Sequence, residues 1–422
     1  MNALGTARAT ARALELAGRA VDIAVPRRLR AAVEGQGLGY PIHDTGPEMP
    51  GIDRLHDELA FHLSSLTPGA NPDNAVLQLG VGERGGRFRA LRTDIRRAWK
   101  RNFARLPNPL VNAILRRTVG RRVPRVFSSE HVVAISFAAR PALLCADGLE
   151  VDTVLDSWDH PVRKCAGYVT RTVIGWNREL AWEWKDFQGA DHIEVGFPIR
   201  LGYALRQRVT PVAGARGVIM YPIATTSHIK EWFIDEMAFL GALADRAAAR
   251  GWRILVKPKP MSTVAEIPEA IRTHPAVRLG GFEAASGALD YVLDDEVNAR
   301  RLGELAEVEV VLNTVTTFGL DAAAAGVPVL QLDLRSSRAW PSLASAARNR
   351  HLQRYLYRGM GCLRPGDTLE QLDAVLADRA VLLSRAQTTS EQLRRWLVDD
   401  VDGLSEDEVM VRAMRRVVGA QA

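Results

Sequence analysis

Three groups of residues in this chain have the types and spacing to hold an anion and to move a proton. The first is Asn313-Thr314-Val315-Thr316-Thr317-Phe318-Gly319, a small, hydroxyl-rich stretch between two apolar runs, Val308 to Leu312 and Val327 to Leu332. A loop of this kind, running from a strand into a helix, offers main-chain N–H groups at Phe318 and Gly319 and the hydroxyls of Thr314, Thr316 and Thr317 to a phosphate. Asp321, just inside that helix, can accept ribose hydroxyls while the loop holds a diphosphate; the same residues also read as a helix-dipole partner and caps. The second group closes two other strands: Thr226, Ser227 and His228 follow Gly217 to Pro222, and Lys257-Pro258-Lys259-Pro260 follows Arg253 to Val256. Lysine at a strand's carboxyl end supplies a point charge against developing negative charge. The third is Ser157-Trp158-Asp159-His160. Asp159 or His160 can serve as a base, since a carboxylate needs only a modestly raised pKa and an imidazole titrates near neutrality; helix capping by Asp159 and a local hydrogen bond from His160 are the competing readings.

The elements that must carry these residues follow from apolar patterning. Ala3 to Ala20 reads as loop and helix and Val21 to Val25 as a strand; Leu29 to about Pro72 reads as helix and loop. Ala75 to Leu79 opens on Gly80-Val81-Gly82-Glu83-Arg84-Gly85, a Gly-x-Gly-x-x-Gly turn that lacks the acid expected roughly 20 residues on. Val132 to Ser136 is a strand, Pro141 to Asp147 a helix and Asp152 to Asp156 a strand. Ala181 to Phe187 ends a helix and Ile193 to Pro198 is a short strand. In the second half, the strand Gly217 to Pro222, the helix Glu231 to Arg250 and the strand Arg253 to Val256 make one βαβ unit. Val308 to Leu334 makes another, with Gly326 as the helix stop. Thr368-Leu369-Glu370-Gln371 and Ser405-Glu406-Asp407-Glu408 are helix-start boxes, the latter opening a last helix to about Val418.

The stretch Thr314 to Gly319, with Asp321, Gly326, Pro328 and Val329, resembles the nucleotide-binding segment of GT-B glycosyltransferases and of the related sugar-nucleotide epimerases and CDP-glycerol glycerophosphotransferases, where the acid is usually Glu. Ser157-Trp158-Asp159 with Ile174 to Asn177 resembles a bacterial group of surface-polysaccharide glycosyltransferases, His160 standing where that group has Asn and Lys259 where it has His. The resemblance is patchy over Val132 to Ile199 and stronger from Arg216 onward. It implies an α/β fold of two facing Rossmann-like domains: an acceptor-side domain over residues 1–208, a donor-binding domain over 209–400, and a terminal helix over 403–418 crossing back to the first. The first domain either lacks its first strand or is built differently. It also implies that Arg200, after Val195-Gly196-Phe197-Pro198, reaches a phosphate, and that the site works without a metal or cofactor, with helix dipoles and basic residues stabilising the leaving diphosphate.

With 422 residues, 47% hydrophobic and 25% charged, the chain has material for two cores. Cys145, Cys165 and Cys362 are widely spaced, which indicates neither a disulfide framework nor a zinc site. No apolar run reaches the roughly 20 residues of a membrane span, and the N-terminus lacks a signal-peptide core, so a cytoplasmic protein is expected. The net charge of +6 is concentrated between Arg84 and Arg125, where Phe88, Leu91, Ile95, Trp99 and Phe103 recur at helical spacing. Such an element reads as a solvated face or as a surface for anionic headgroups on the inner face of the plasma membrane; no nucleic-acid motif accompanies it. Gly-Lys-Ser/Thr and Gly-x-Ser-x-Gly are absent, and Asp400-Val401-Asp402 lies in a polar tail. The function expected is transfer of a sugar from a nucleotide-sugar to a glycan or lipid-linked acceptor in surface-polysaccharide synthesis. The alternatives are a CDP-polyol phosphotransferase or a sugar-nucleotide epimerase, and a non-catalytic membrane-associated module of the same fold.

Overall fold

The computed structural model describes residues 3–25, 27–44, 131–135, 142–146, 150–156, 170–188, 190–225, 227, 230–259, 263–281, 295–314, 316–334, 337–347, 368–398, 401 and 403–419. The Gly80 to Gly85 turn, the arginine-rich stretch Arg84 to Arg125, Asp159, His160, Thr226 and His228 lie outside the described residues. The chain divides into two compact units: one runs to Arg200 and is rejoined from Val398 onward, and the other lies between Leu201 and Leu397. Among the described residues no helix is long and apolar enough to cross a membrane.

The first unit opens with α1 (Ala3–Leu16), β1 (Val21–Val25), α2 (Arg27–Glu34) and β2 (Ile42–Asp44). β3 (His131–Ile135), β4 (Ala142–Ala146), β5 (Glu150–Val154), β6 (Thr170–Gly175), α3 (Arg178–Gln188) and β7 (His192–Val195) follow. Its sheet runs β2-β1-β3-β4-β5-β6-β7. β4 is antiparallel to both β3 and β5, and the other pairs are parallel. The helix expected over Pro141 to Asp147 is therefore a strand. Its connections to β3 and β5 are too short for a parallel crossover, so Ala-Leu-Leu-Cys-Ala pairs by reversal. Asp152 is buried between β5 and β6 and receives both Nε (3.1 Å) and Nη2 (2.5 Å) of Arg171 and the N–H of Thr172 (3.1 Å).

The second unit is built on β8 (Val218–Pro222), β9 (Arg253–Lys257), β10 (Val277–Leu279), β11 (Val310–Asn313) and β12 (Val329–Gln331). All are parallel, in the order β10-β9-β8-β11-β12. Ile219, Tyr221, Ile254, Val256, Val310, Leu312 and Leu330 enter one apolar cluster. The alternate residues Met220, Leu255, Val311 and Val329 are equally buried, so both faces of the sheet are covered. Among the described residues the helices of this unit are α4 (Gly202–Arg206), α5 (Lys230–Ala249), α6 (Glu269–Arg272), α7 (Asp295–Ala306), α8 (Phe318–Ala324), α9 (Pro341–Ala347), α10 (Thr368–Ala377) and α11 (Arg379–Val398). The cluster takes its helical share from α5, α10 and the start of α11, with Ile271 of α6 and Leu343 of α9, while α8 packs on α4, β11 and β12.

Gly326 stops α8 at φ 82°, in the left-handed region that favours glycine. Its N–H bonds Ala323 O (3.1 Å) and that of Val327 bonds Ala322 O (2.9 Å), the paired bonds of a Schellman end. This stop fixes where β12 begins, and so its register with β11.

The last helix, α12 (Glu406–Gly419), belongs to the first unit and packs on α1 and β7. Ser405 and Glu408 form its start box, with Ser405 N–H on Glu408 Oε2 at 2.8 Å and Glu408 N–H on Ser405 Oγ at 3.3 Å. Val409, Met410, Ala413, Met414, Val417 and Val418 are its buried stripe. Met410 Sδ accepts the N–H of Phe197 at 3.3 Å, and Arg12–Asp407 and Arg416–Glu194 are exposed pairs at its rim.

Candidate functional site

The strand order of the second unit reverses between β8 and β11: the chain goes outward from β8 through β9 to β10, then returns to β11 on the other side of β8. In an open parallel sheet, the loops leaving the carboxyl ends on either side of such a reversal diverge, and ligands bind there. The loops concerned follow Pro222, Asn313 and, next to them, Lys257.

At the β11 end the side chains lock together. Asn313 Nδ2 donates to Gln331 Oε1 (2.7 Å) and Thr316 O (3.2 Å), and Asn313 Oδ1 receives the Thr316 hydroxyl (2.6 Å). Gln331 Nε2 donates to Thr314 O, tying the loop to β12. Gly319 rests against Asn313; a Cβ there would lie 2.6 Å from Asn313 Nδ2. The Thr316 hydroxyl proton is thus given to Asn313, while Thr317 and Phe318 are half-buried at the start of α8. The first amides of a helix have no acceptor one turn back within it; in α8 the N–H groups of Leu320 and Asp321 turn onto Thr317 O, at 2.8 and 3.4 Å.

At the β8 end, Thr225 is buried, and Ser227 Oγ donates to Glu266 Oε1 at 2.7 Å. Lys259 Nζ donates to Ala224 O at 2.9 Å, which bridges the β8 and β9 loops and puts a cation at this edge. Lys257 is committed differently. With its side chain 3% exposed, it pairs with Glu304 of α7 at 2.8 Å and donates to Gly281 O at 3.3 Å. Asp321 is 3% exposed and its Oδ1 accepts the Tyr203 hydroxyl of α4 at 2.6 Å. Burial, and then the Asp321 charge, pushes the Tyr203 hydroxyl well above its usual range, with Arg301 opposing. Arg200, half-buried in the turn Ile199–Leu201, is the last residue of the first unit before Leu201. Of the described candidates, then, Thr314, Thr316 and Thr317 gather at the β11 loop with Phe318 and Gly319, and Ser227 and Lys259 at the β8 and β9 loops. Lys257 and Asp321 have buried partners inside the unit.

One central residue was not among the candidates. Glu236 of α5 is fully buried and receives the N–H of Ala224 (2.6 Å), the N–H of Thr225 (2.8 Å), the Thr225 hydroxyl and the Tyr221 hydroxyl (3.3 Å). The signal lay in the helix: Trp232, Glu236, Leu240 and Leu243 share the apolar stripe, and a carboxylate on that face must have partners. Burial raises the Glu236 pKa from its ordinary 4.5, opposed by the Ala224 and Thr225 bonds and the Lys259 charge. A carboxyl whose folded-state pKa is raised contributes stability below its unfolded pKa, and that contribution is lost as pH rises through the folded value. The thermal midpoint of the second unit is therefore expected to fall, relative to that of Glu236→Gln, as pH increases from 4.5. Parallel pH profiles of the two proteins would contradict this.

No protein-family model matches the chain, and no curated protein matches it significantly. Among solved structures, the pneumococcal O-GlcNAc transferase GtfA in complex with UDP and GlcNAc aligns at 10% identity over 69% of this chain, with a TM-score of 0.34. This chain spans 52% of GtfA, about half its length. The spinosyn forosaminyltransferase SpnP aligns at 15% identity over 99% of this chain and 97% of its own, with a TM-score of 0.40. A glycosyltransferase from Rickettsia africae aligns at 10% identity over 95% of this chain and 98% of its own, also at 0.40. At such scores the architecture stands on the chain's own strand order: an α/β protein of two units whose described residues form, in one, a mixed sheet of seven strands and, in the other, a parallel, doubly wound sheet of five.

Proposed function

We propose that this protein is a metal-independent glycosyltransferase that moves a sugar from a nucleotide-sugar donor to a glycan or lipid-linked acceptor in cell-surface polysaccharide synthesis. The observation that carries the reading is the strand-order reversal between β8 and β11, which brings the threonine-rich β11 loop, the Thr225 loop and the Lys259 ammonium to one edge of one sheet. In this account the donor's diphosphate lies on the amides at the start of α8 with Lys259 beside it, and its negative charge grows there as the glycosidic bond breaks. Fixed N–H dipoles and an ammonium lower that barrier without rearranging. Asp159 or His160 takes the proton of the acceptor hydroxyl, and Arg200 is a second cation for the phosphates. The sequence resemblance from Arg216 onward supports the donor class, and the basic stretch Arg84 to Arg125 supports a cytoplasmic enzyme resting on anionic headgroups beside a lipid-linked acceptor.

Hydrolysis assays across UDP-, GDP-, CDP- and dTDP-sugars are the test. Turnover of one nucleotide class is expected; no turnover with any donor, in a protein that still binds anionic vesicles, would replace this reading with that of a non-catalytic module. Binding to anionic vesicles is itself expected at low salt and lost at high salt. Equal binding to neutral vesicles, or none to either, would remove the membrane component.

A further inference from the structure

The β8 loop has the form of an anion nest already filled from within. Ala224 and Thr225 turn their consecutive N–H groups onto one carboxylate, as such backbone concavities do toward phosphate, and Thr225 and Tyr221 add hydroxyls. Ala224 is gripped a second time, by Lys259 Nζ on its carbonyl oxygen at 2.9 Å. The polar chain extends further, because Tyr221 lies beside Thr314 of the β11 loop as well as Glu236.

We infer that Glu236 is a positioning residue: its carboxylate occupies the amide nest of the β8 loop as a built-in anion, fixes Ala224, and through the Ala224 carbonyl sets the Lys259 ammonium for an external phosphate at the β11 side. The ligand half of this inference rests on the proposed function; the positioning half does not. Burial makes the Glu236 charge costly despite four donors, and a glutamine of the same shape would fill the same volume. A fully buried side chain whose two oxygens serve adjacent loop residues determines a loop conformation that apolar packing would leave loose.

The test uses the full chain, wild type and Glu236→Gln. Acetylation of Lys259 by an amine-reactive ester, quantified by peptide mass spectrometry against the exposed Lys230, reads the ammonium's setting without any nucleotide. Losing charge-assisted bonds to Ala224 and Thr225 is expected to speed Lys259 labelling about tenfold. Unchanged labelling in a folded variant overturns the positioning role. If Glu236→Gln fails to fold, Thr225→Val, which keeps the charge and removes one donor, decides by the same readout, with faster labelling expected and no change overturning the role. Calorimetry with the nucleoside diphosphate of the accepted donor then addresses the ligand half. Glu236→Gln and Lys259→Met should each weaken binding about tenfold, and the double variant should be no weaker than Lys259→Met alone. Additive losses would mean that Glu236 does not act through Lys259. A wild-type chain that binds none of the nucleotides would sink the nucleotide reading while leaving the labelling result to judge the positioning role by itself.

Discussion

Replacing Glu304 by Ala is expected to destabilise the second unit by about 3–5 kcal/mol, because it strands the Lys257 ammonium without its partner in the interior. The two side chains are 3% and 9% exposed and 2.8 Å apart, and Glu304 Oε1 also receives the Gly281 N–H at 2.6 Å. One carboxylate thus neutralises the end of β9 and pins the chain leaving β10. Lys257→Ala should cost a comparable amount for the converse reason. The double change Lys257→Met with Glu304→Leu removes both charges and fills the volume, so it should recover most of the loss. With two units in the chain, the unfolding transition of the second must be followed separately by a local probe. The same variants separate the two lysines of Lys-Pro-Lys-Pro: a double variant that keeps nucleotide affinity would make Lys257 a structural cation and leave Lys259 as the one that meets the ligand. Single variants that each unfold no earlier than wild type would contradict the buried-pair account.

Gly319→Ala is expected to cost about 1–3 kcal/mol and to weaken nucleotide binding with it. The added Cβ would meet Asn313 at 2.6 Å from Nδ2, 2.7 Å from Cγ and 3.1 Å from Cβ. Asn313 cannot simply turn away, since Gln331 and Thr316 hold both ends of its amide. Relief has to come from moving α8 or breaking that network, and either displaces the turn proposed to face the diphosphate. Gly303 is the control. It lies in α7 with nothing within 4 Å of a Cβ, so Gly303→Ala should stabilise by about 0.5–1 kcal/mol through helix propensity. Equal responses at the two glycines, measured by thermal unfolding and calorimetry, would count against the assigned role of Asn313.

What could be read from the sequence was mostly local. β8, β11 and β12 announce themselves as short apolar runs, Gly326 as a left-handed stop, and Ser405 with Glu408 as a helix start. Each of these signals acts within a few residues of itself. β4 is not legible in the sequence because Ala142–Ala146 has no strand signature apart from its neighbours; only pairing with β3 and β5 makes it extended. α11, from Arg379 to Val398, carries buried Thr389 and Ser390 on its inner face, which blurs the apolar stripe that would have revealed it. In the candidate site, the threonine loop and Lys259 were visible as types at strand ends. Their partners were not: Asp321 meets Tyr203, separated from it by 118 positions, and Lys257 meets Glu304 on a later helix. No spacing rule links such pairs, because the sheet order brings them together. Glu236 was the exception that could have been found, as a charge on the apolar stripe of a long helix.

At the β8–β11 reversal, the carboxyl edge of the second unit's sheet is proposed to hold the diphosphate of a nucleotide donor. The most direct test is isothermal titration of UDP, GDP, CDP and dTDP into the wild-type chain, Thr317→Val and Lys259→Met. Saturable binding of at least one of them to the wild type is expected, weakened about tenfold by either substitution in a chain that remains folded. Absence of binding by all four, or an affinity that neither substitution alters, would contradict it.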